Sequence, residues 1–111
     1  MSVVYHTSAR NFERDALKSP VPVLVDFYAD WCRPCRMLAS TLDRLAEEFS
    51  GKVRIIKVNI NQDPSLASQF HVSSIPHLMY LVAGKVVNQS AGAPPEAALR
   101  QTLNQLTSAS A

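Results

Sequence analysis

Apolar residues follow two different patterns in the first half of the chain. Nearly continuous apolar runs at residues 21–29 (VPVLVDFYA) and 53–60 (VRIIKVNI) are rich in β-branched side chains, which is typical of strands covered on both faces. Between these runs, apolar residues recur every three or four positions from residue 32 to 49, and Gly51 follows. This spacing predicts one long amphipathic helix, whose apolar stripe comprises Met37, Leu38, Leu42, Leu45, Ala46 and Phe49.

Shorter elements are predicted around this central strand–helix–strand unit, whose crossover should be right-handed. Capping residues, prolines and glycines mark their ends. The first of these shorter elements are a strand at 3–6, a helix from a cap at Thr7 or Ser8 to about 17, and a short helix from Asp63-Pro64 to about 70. The last are a hairpin of strands 77–83 and 86–90 that turns at Gly84-Lys85, and a helix at 96–106.

The order of elements, βαβαββα, predicts an α/β fold with a mixed central sheet flanked by helices on both faces. With 111 residues the chain is the size of one domain, so we assign residues 1–111 to a single domain. We expect residues 107–111 to fray as a C-terminal tail.

Composition and charge exclude several classes of protein. The chain is 47% apolar and 18% charged, as in globular proteins, and its net charge of +2 comes from scattered basic residues rather than a nucleic-acid-binding patch. No apolar run approaches the roughly 20 residues that cross a membrane. The first residues lack the features of an export signal. We therefore expect a cytoplasmic monomer that binds neither nucleic acid nor membrane.

The only two cysteines, Cys32 and Cys35, stand where the central strand gives way to the long helix. Helix N-termini carry free N–H groups and partial positive charge, which favour a thiolate at Cys32. Cys35, one turn further on, is placed to resolve a mixed disulfide, and Pro34 restricts the backbone between the two sulfurs. The pair therefore predicts thiol–disulfide exchange.

Two other interpretations of the cysteine pair are structural. A CxxC motif can be half of a zinc site, but zinc takes four ligands, and the chain has no second CxxC and only dispersed histidines, His6, His71 and His77. The cysteines could also be buried spectators. A helix start with a proline between the two sulfurs favours redox chemistry over both alternatives, and we predict no metal site.

Residues 25–35 (VDFYADWCRPC) closely resemble the active-site region of the thioredoxin family. The resemblance extends over nearly the whole chain and implies the thioredoxin fold. Residues that carry it outside the motif are Lys57, Ile75-Pro76, Gly84 and Ala91-Gly92-Ala93, which stand where thioredoxins have a strand lysine, a cis-proline loop, a hairpin glycine and a substrate-facing glycine.

The resemblance also implies a substrate surface beside the dithiol. Pro76 would be cis, although most X-Pro bonds are trans, and Ile75, Pro76 and Gly92 would bind an extended substrate segment. Trp31 would shield the sulfurs, while Tyr28 stands where many relatives have a second tryptophan. Simple core packing is the alternative for both aromatic residues.

Asp26 lies within the most apolar strand, where an ionised carboxylate is costly and its pKa should rise. The resemblance implies that Asp26 accepts the proton of Cys35 through a water, with Lys57 modulating its charge. A hydrogen-bonded structural aspartate and a solvated lysine are the alternatives.

The chain departs from the family pattern at Arg33, where glycine is usual, and at His77, where threonine is usual. A guanidinium roughly 6 Å from the Cys32 sulfur would favour the thiolate by on the order of 1.4 kcal/mol, so we expect a slightly less reducing protein. His77 either places a titratable group near the substrate surface or faces solvent.

These features predict a protein-disulfide reductase that works in electron transport and cell redox homeostasis. Its redox-active centre is the Cys32–Cys35 disulfide, with no bound cofactor, and the resemblance implies disulfide-containing protein substrates and reduction by an external NADPH-dependent flavoprotein, thioredoxin reductase. Two alternatives remain: a binding module or chaperone subunit with an incidental dithiol, and a disulfide oxidase or isomerase.

Overall fold

Five strands and three α-helices follow one another in the computed structural model, which describes residues 4–109. The strands are β1 (Tyr5–His6), β2 (Val23–Tyr28), β3 (Arg54–Asn59), β4 (His77–Val82) and β5 (Lys85–Ala91). The helices are α1 (Arg33–Glu48), α2 (Pro64–Gln69) and α3 (Glu96–Ala109). All the predicted strands and the three later helices are present, with ends that differ by a few residues.

The strands form one mixed sheet in the order β1-β3-β2-β4-β5. Strands β1, β3 and β2 are parallel, whereas β4 is antiparallel to both β2 and β5. In this register Lys57 of β3 lies between His6 of β1 and Asp26 of β2, and Leu78 of β4 pairs with Asp26 on the other side. The predicted α/β fold with a mixed sheet is confirmed.

Each face of the sheet has its own apolar core, which explains why β2 and β3 are apolar along almost their whole length. One core joins β2 and β4 to α1 and α3 through Leu24, Leu42, Leu78, Leu103 and other buried side chains. The opposite core includes Phe12, Val25, Phe27, Ile56 and Leu66 of α2. Asp26, between Val25 and Phe27, faces the α1 side, because alternate residues of a strand point to opposite faces.

The segment before β2 differs from the predicted helix. Only residues Glu13–Leu17 are helical, as a single π-helical turn in which Lys18 N donates to Glu13 O at 2.9 Å. The predicted cap is also wrong, because Thr7 Oγ1 donates to the Asp15 carboxylate at 2.7 Å instead of capping a helix that starts beside it. Tertiary contacts therefore override the local capping pattern.

Met37 was predicted within the apolar stripe of α1 but is 68% exposed. The buried residues of that helix are instead Cys35, Leu38, Leu42, Leu45 and Ala46. At the C-terminus, α3 continues to Ala109, three residues beyond its predicted end at 106. Leu106 is buried, and Thr107 Oγ1 donates to Asn104 O at 2.8 Å, which ties the last turn to the rest of the helix. Residues 110 and 111, like residue 3 of the predicted first strand, lie outside the described residues.

The hairpin turns at Ala83 and Gly84, one residue earlier than predicted. Both residues have left-handed backbone angles, φ 52° and φ 80°. A β-carbon at Gly84 would lie 2.8 Å from the carbonyl oxygen of Leu17, so the turn needs glycine both for its backbone angle and for the close approach of the preceding segment.

Candidate active site

The two cysteines lie at the N-terminus of α1 and are joined by a disulfide. Cys32 is the N-cap residue, and its Sγ accepts a hydrogen bond from Cys35 N at 3.3 Å. Arg33 and Pro34 occupy the first two helical positions, where a missing N–H breaks no helical hydrogen bond. The Cys32 sulfur thus lies at the positive end of the helix dipole, as the sequence predicted.

Burial distinguishes the two sulfur-bearing residues. Cys32 is 5% exposed and Cys35 only 1%. Both pack with Ala29 in a small cluster that also contacts Tyr28, Ile60 and Ile75. Cys32 is therefore the cysteine that an external disulfide can reach more easily.

Asp26 is completely buried at the centre of the sheet. Neither of its carboxylate oxygens hydrogen-bonds to any residue between 4 and 109. Burial raises the pKa of Asp26 to about 7, and the positive charge of Lys57 offsets part of that effect. A carboxyl with this pKa can both accept and release a proton near neutral pH.

A cavity of about 260 Å³ lies beside Cys35. Its walls include Tyr28, Lys57, Arg36 and Ala39. The ammonium of Lys57 lies 4.3 Å from the centre of the Tyr28 ring, and the Tyr28 hydroxyl makes a 3.2 Å hydrogen bond with His6 Nδ1. Buried Cys35, half-buried Lys57 and the ring of Tyr28 thus line the same cavity.

The Ile75–Pro76 peptide bond is cis, as predicted. Ile75 contacts the cysteine cluster, and Pro76 O accepts a hydrogen bond from Gly92 N at 2.8 Å. The structure therefore brings Ile75, Pro76 and Gly92 together beside the disulfide. Trp31, which precedes Cys32 in the chain, is 66% exposed and so contributes mainly surface rather than core packing.

Two further polar contacts border the site. Arg36 Nη1 donates to Asp30 O at 2.8 Å, which fixes the loop before α1, whereas the Arg33 side chain is exposed. His77 is half-buried rather than fully solvated, with Nε2 donating to Gln89 Oε1 at 2.8 Å and its ring packed edge-on against Phe27.

Sequence reasoning did not identify His6 as part of this region, and it placed Tyr28 beside the site, with core packing as the alternative, but assigned it no contact with Lys57. His6 enters this region through the parallel pairing of β1 with β3, which puts it next to Lys57 and which no local sequence pattern specifies. Within residues 4–109, no group of three or more His, Cys, Asp or Glu side chains could hold a metal ion. Over the same residues no helix has the length and apolar character needed to cross a membrane.

Comparisons with known proteins agree with this geometry. The family model described as Thioredoxin matches residues 3–105. Thioredoxin 1 of Nostoc sp. is 43% identical to the chain over 105 residues, which cover 95% of this chain and 98% of that protein. Thioredoxin of Haemophilus influenzae is 44% identical, and Thioredoxin 1 of Synechococcus elongatus is 43% identical, each with the same coverage.

The chain therefore belongs to the thioredoxin family. With a Cys32–Cys35 disulfide at the family's CxxC position, it is a thiol–disulfide oxidoreductase of the protein-disulfide reductase type. The family and the function predicted from the sequence are confirmed.

Proposed function

We propose that Cys32 is the attacking residue and Cys35 the resolving residue of a two-step reduction. The Cys32 thiolate attacks a substrate disulfide, forms a mixed disulfide and releases one substrate thiolate. The Cys35 thiolate then attacks the Cys32 sulfur, forms the Cys32–Cys35 disulfide and releases the second substrate thiolate. Two electrons pass from the dithiol to the substrate, and each substrate thiolate takes up a proton.

The observation that carries this assignment is the unequal environment of the two sulfurs. Cys32 caps the helix and is the more exposed of the two, at 5%, and its thiolate there gains an N–H donor and the positive end of the helix dipole. Cys35 is 1% exposed and lies within the first helical turn rather than at the N-cap. An attacking thiol needs access and ionisation, whereas a resolving thiol needs only to reach its neighbour, and the Cα atoms of the two residues are 5.3 Å apart.

Asp26 is the base that we assign to the second step. Cys35 must lose its proton before it can attack, and it lies in surroundings that disfavour a thiolate. The pKa of Asp26, raised to about 7 by burial, suits proton transfer near neutral pH. We propose that the proton passes from Cys35 to Asp26 through a bridging water, with Lys57 modulating the charge.

The substrate binds, in this proposal, across the surface formed by Trp31, Ile75, Pro76 and Gly92. The exposed ring of Trp31 supports this role, as does the contact of Ile75 with the cysteine cluster. The hydrogen bond from Gly92 to Pro76 holds the two loops in one surface. We propose that an extended substrate segment pairs with backbone groups of these loops other than Gly92 N and Pro76 O, which bond to each other.

Reduction of the oxidised protein is assigned to an external partner. We propose that an NADPH-dependent flavoprotein, thioredoxin reductase, returns the Cys32–Cys35 disulfide to the dithiol, and that the protein acts as a cytoplasmic monomer in electron transport and redox homeostasis. Each of its two cysteines takes part in the exchange, so no structural disulfide is left that would require an oxidising compartment.

Insulin-disulfide reduction with NADPH and a thioredoxin reductase tests the proposal, with Cys32→Ser and Cys35→Ser as a matched pair. We expect Cys32→Ser to be inactive and to form no mixed disulfide. Cys35→Ser should accumulate a covalent adduct with substrate that dithiothreitol releases. An adduct of equal yield in both variants would contradict the assignment, and activity that survives Cys32→Ser in a complementation assay would indicate a binding role.

A further inference from the structure

Lys57 has two partners within reach on the α1 side of the sheet. Its neighbour on β2 is Asp26, in direct register, and Tyr28 follows two residues later on the same face. The ammonium lies 4.3 Å from the centre of the Tyr28 ring. Among the described residues neither oxygen of Asp26 has a hydrogen-bond partner, so Lys57 Nζ does not hydrogen-bond to that carboxyl. The lysine therefore contacts the ring rather than the acid.

Tyr28 is itself held from the other side. Its hydroxyl makes a 3.2 Å hydrogen bond with His6 Nδ1, and the two rings meet edge to face with centroids 5.9 Å apart. Tyr28 also packs against the cysteine cluster. The ring is thus fixed between β1 and the N-terminus of α1, which keeps its face available to the ammonium.

We propose that Tyr28 is a positioning residue whose ring holds the Lys57 ammonium away from Asp26, so that the Asp26 carboxyl stays free to take the proton of Cys35. This inference rests on the proposed role of Asp26 as the base. The attraction between a cation and an aromatic face grows when water is excluded, so a half-buried ring can compete with a nearby carboxylate for the ammonium.

The other groups around Asp26 leave Lys57 as its main charged neighbour. Leu78 faces it from β4, and Tyr28 is the next titratable group on its own strand. His6 is paired with Lys57 from β1 and hydrogen-bonds to the Tyr28 hydroxyl, and Asp30 lies beyond Tyr28 towards the loop. A direct ion pair typically lowers the pKa of an aspartate by about one to three units, which would leave Asp26 a weak base.

A titration of the Asp26 side-chain carboxyl by carbon NMR, in the oxidised protein, measures this effect without any catalytic step. We expect Tyr28→Leu to lower the Asp26 midpoint by about one pH unit or more, because the ammonium then moves to the carboxylate. Tyr28→Phe keeps the ring and loses only the hydroxyl, so it should change the midpoint much less. In a Lys57→Met background, Tyr28→Leu should no longer lower the midpoint.

Two results would overturn the proposal: an Asp26 midpoint that stays constant or rises in Tyr28→Leu, or an equal lowering in the presence and absence of Lys57. The wild-type protein supplies a check that needs no variant, because the ring current of Tyr28 should shift the ε-protons of Lys57 upfield. An unshifted Lys57 signal also contradicts the proposal. If instead Asp26→Asn leaves the single-turnover rate of resolution unchanged, the base role fails while the positioning result stands.

Discussion

Replacing Asp26 by asparagine should change how the stability of the oxidised protein depends on pH. Burial raises the pKa of this carboxyl from its ordinary value of 3.8 to about 7 in the folded protein. The folded state then binds the proton more tightly than the unfolded state, so the wild type loses stability as the pH rises from about 4 to about 7. Below that range both states are protonated, and above it both are ionised, so the loss is complete.

The magnitude follows from the size of the shift. About three pKa units at 1.36 kcal/mol each correspond to a loss of about 4 kcal/mol between pH 4 and pH 8. An asparagine cannot ionise, so Asp26→Asn should lack this loss. The difference in unfolding free energy between variant and wild type should therefore become about 4 kcal/mol more favourable to the variant across this range, whatever the packing cost of the amide.

Denaturant unfolding at several pH values from 4 to 8, with the disulfide intact, measures this difference. Asp43→Asn is the matched control, because Asp43 is an exposed aspartate on α1. Its pH profile should parallel that of the wild type. Parallel profiles for Asp26→Asn and wild type would refute the reasoning, since they would mean that the buried carboxyl titrates alike in the folded and unfolded states.

Two further substitutions test single features of the structure. Arg33→Gly should make the protein more reducing by at most about 30 mV, because the guanidinium stabilises the Cys32 thiolate by on the order of 1.4 kcal/mol before salt screening; equal potentials in a glutathione titration would contradict this. Gly84→Ala should destabilise the protein more than Gly51→Ala does, because both glycines have φ near +80° but only a β-carbon at Gly84 would meet the Leu17 carbonyl, at 2.8 Å. Gly51→Ala should cost about 1–2 kcal/mol from backbone strain alone, and equal losses in thermal unfolding would argue against the close approach.

Patterns that repeat along the chain predicted most of the fold. The stripe of α1 and the apolar runs of β2 and β3 reflect burial on known faces, and these elements appear close to their predicted positions. Met37 was misassigned because spacing alone does not say how wide the buried face is, and α1 leaves that residue 68% exposed. The first helix was overestimated because Thr7, a good cap in isolation, binds Asp15 instead.

In the site too, local patterns predicted some features, whereas contacts between distant strands were not predicted. Local signals predicted the cysteine pair at a helix start, and the family resemblance supplied the cis Pro76. The contacts of His6 and Tyr28 with each other and with Lys57 depend on the register of three strands that are distant in sequence. One sequence contains no direct signal for such a register, because each strand alone is compatible with several pairings.

Asp26 suits the proposed role of base on energetic grounds that are independent of the family resemblance. A buried carboxyl without a hydrogen-bond partner among the described residues destabilises the folded protein by about 4 kcal/mol once it is ionised, which is a large fraction of the stability of a typical domain. An apolar side chain would fill the same strand position without that loss. The same burial that causes the loss raises the pKa to about 7, and only at such a value can the group exchange protons with a buried thiol near neutral pH. The destabilisation and the proposed activity therefore have one physical cause. A substitution at Asp26 that removes the destabilisation should also slow the resolution step by Cys35.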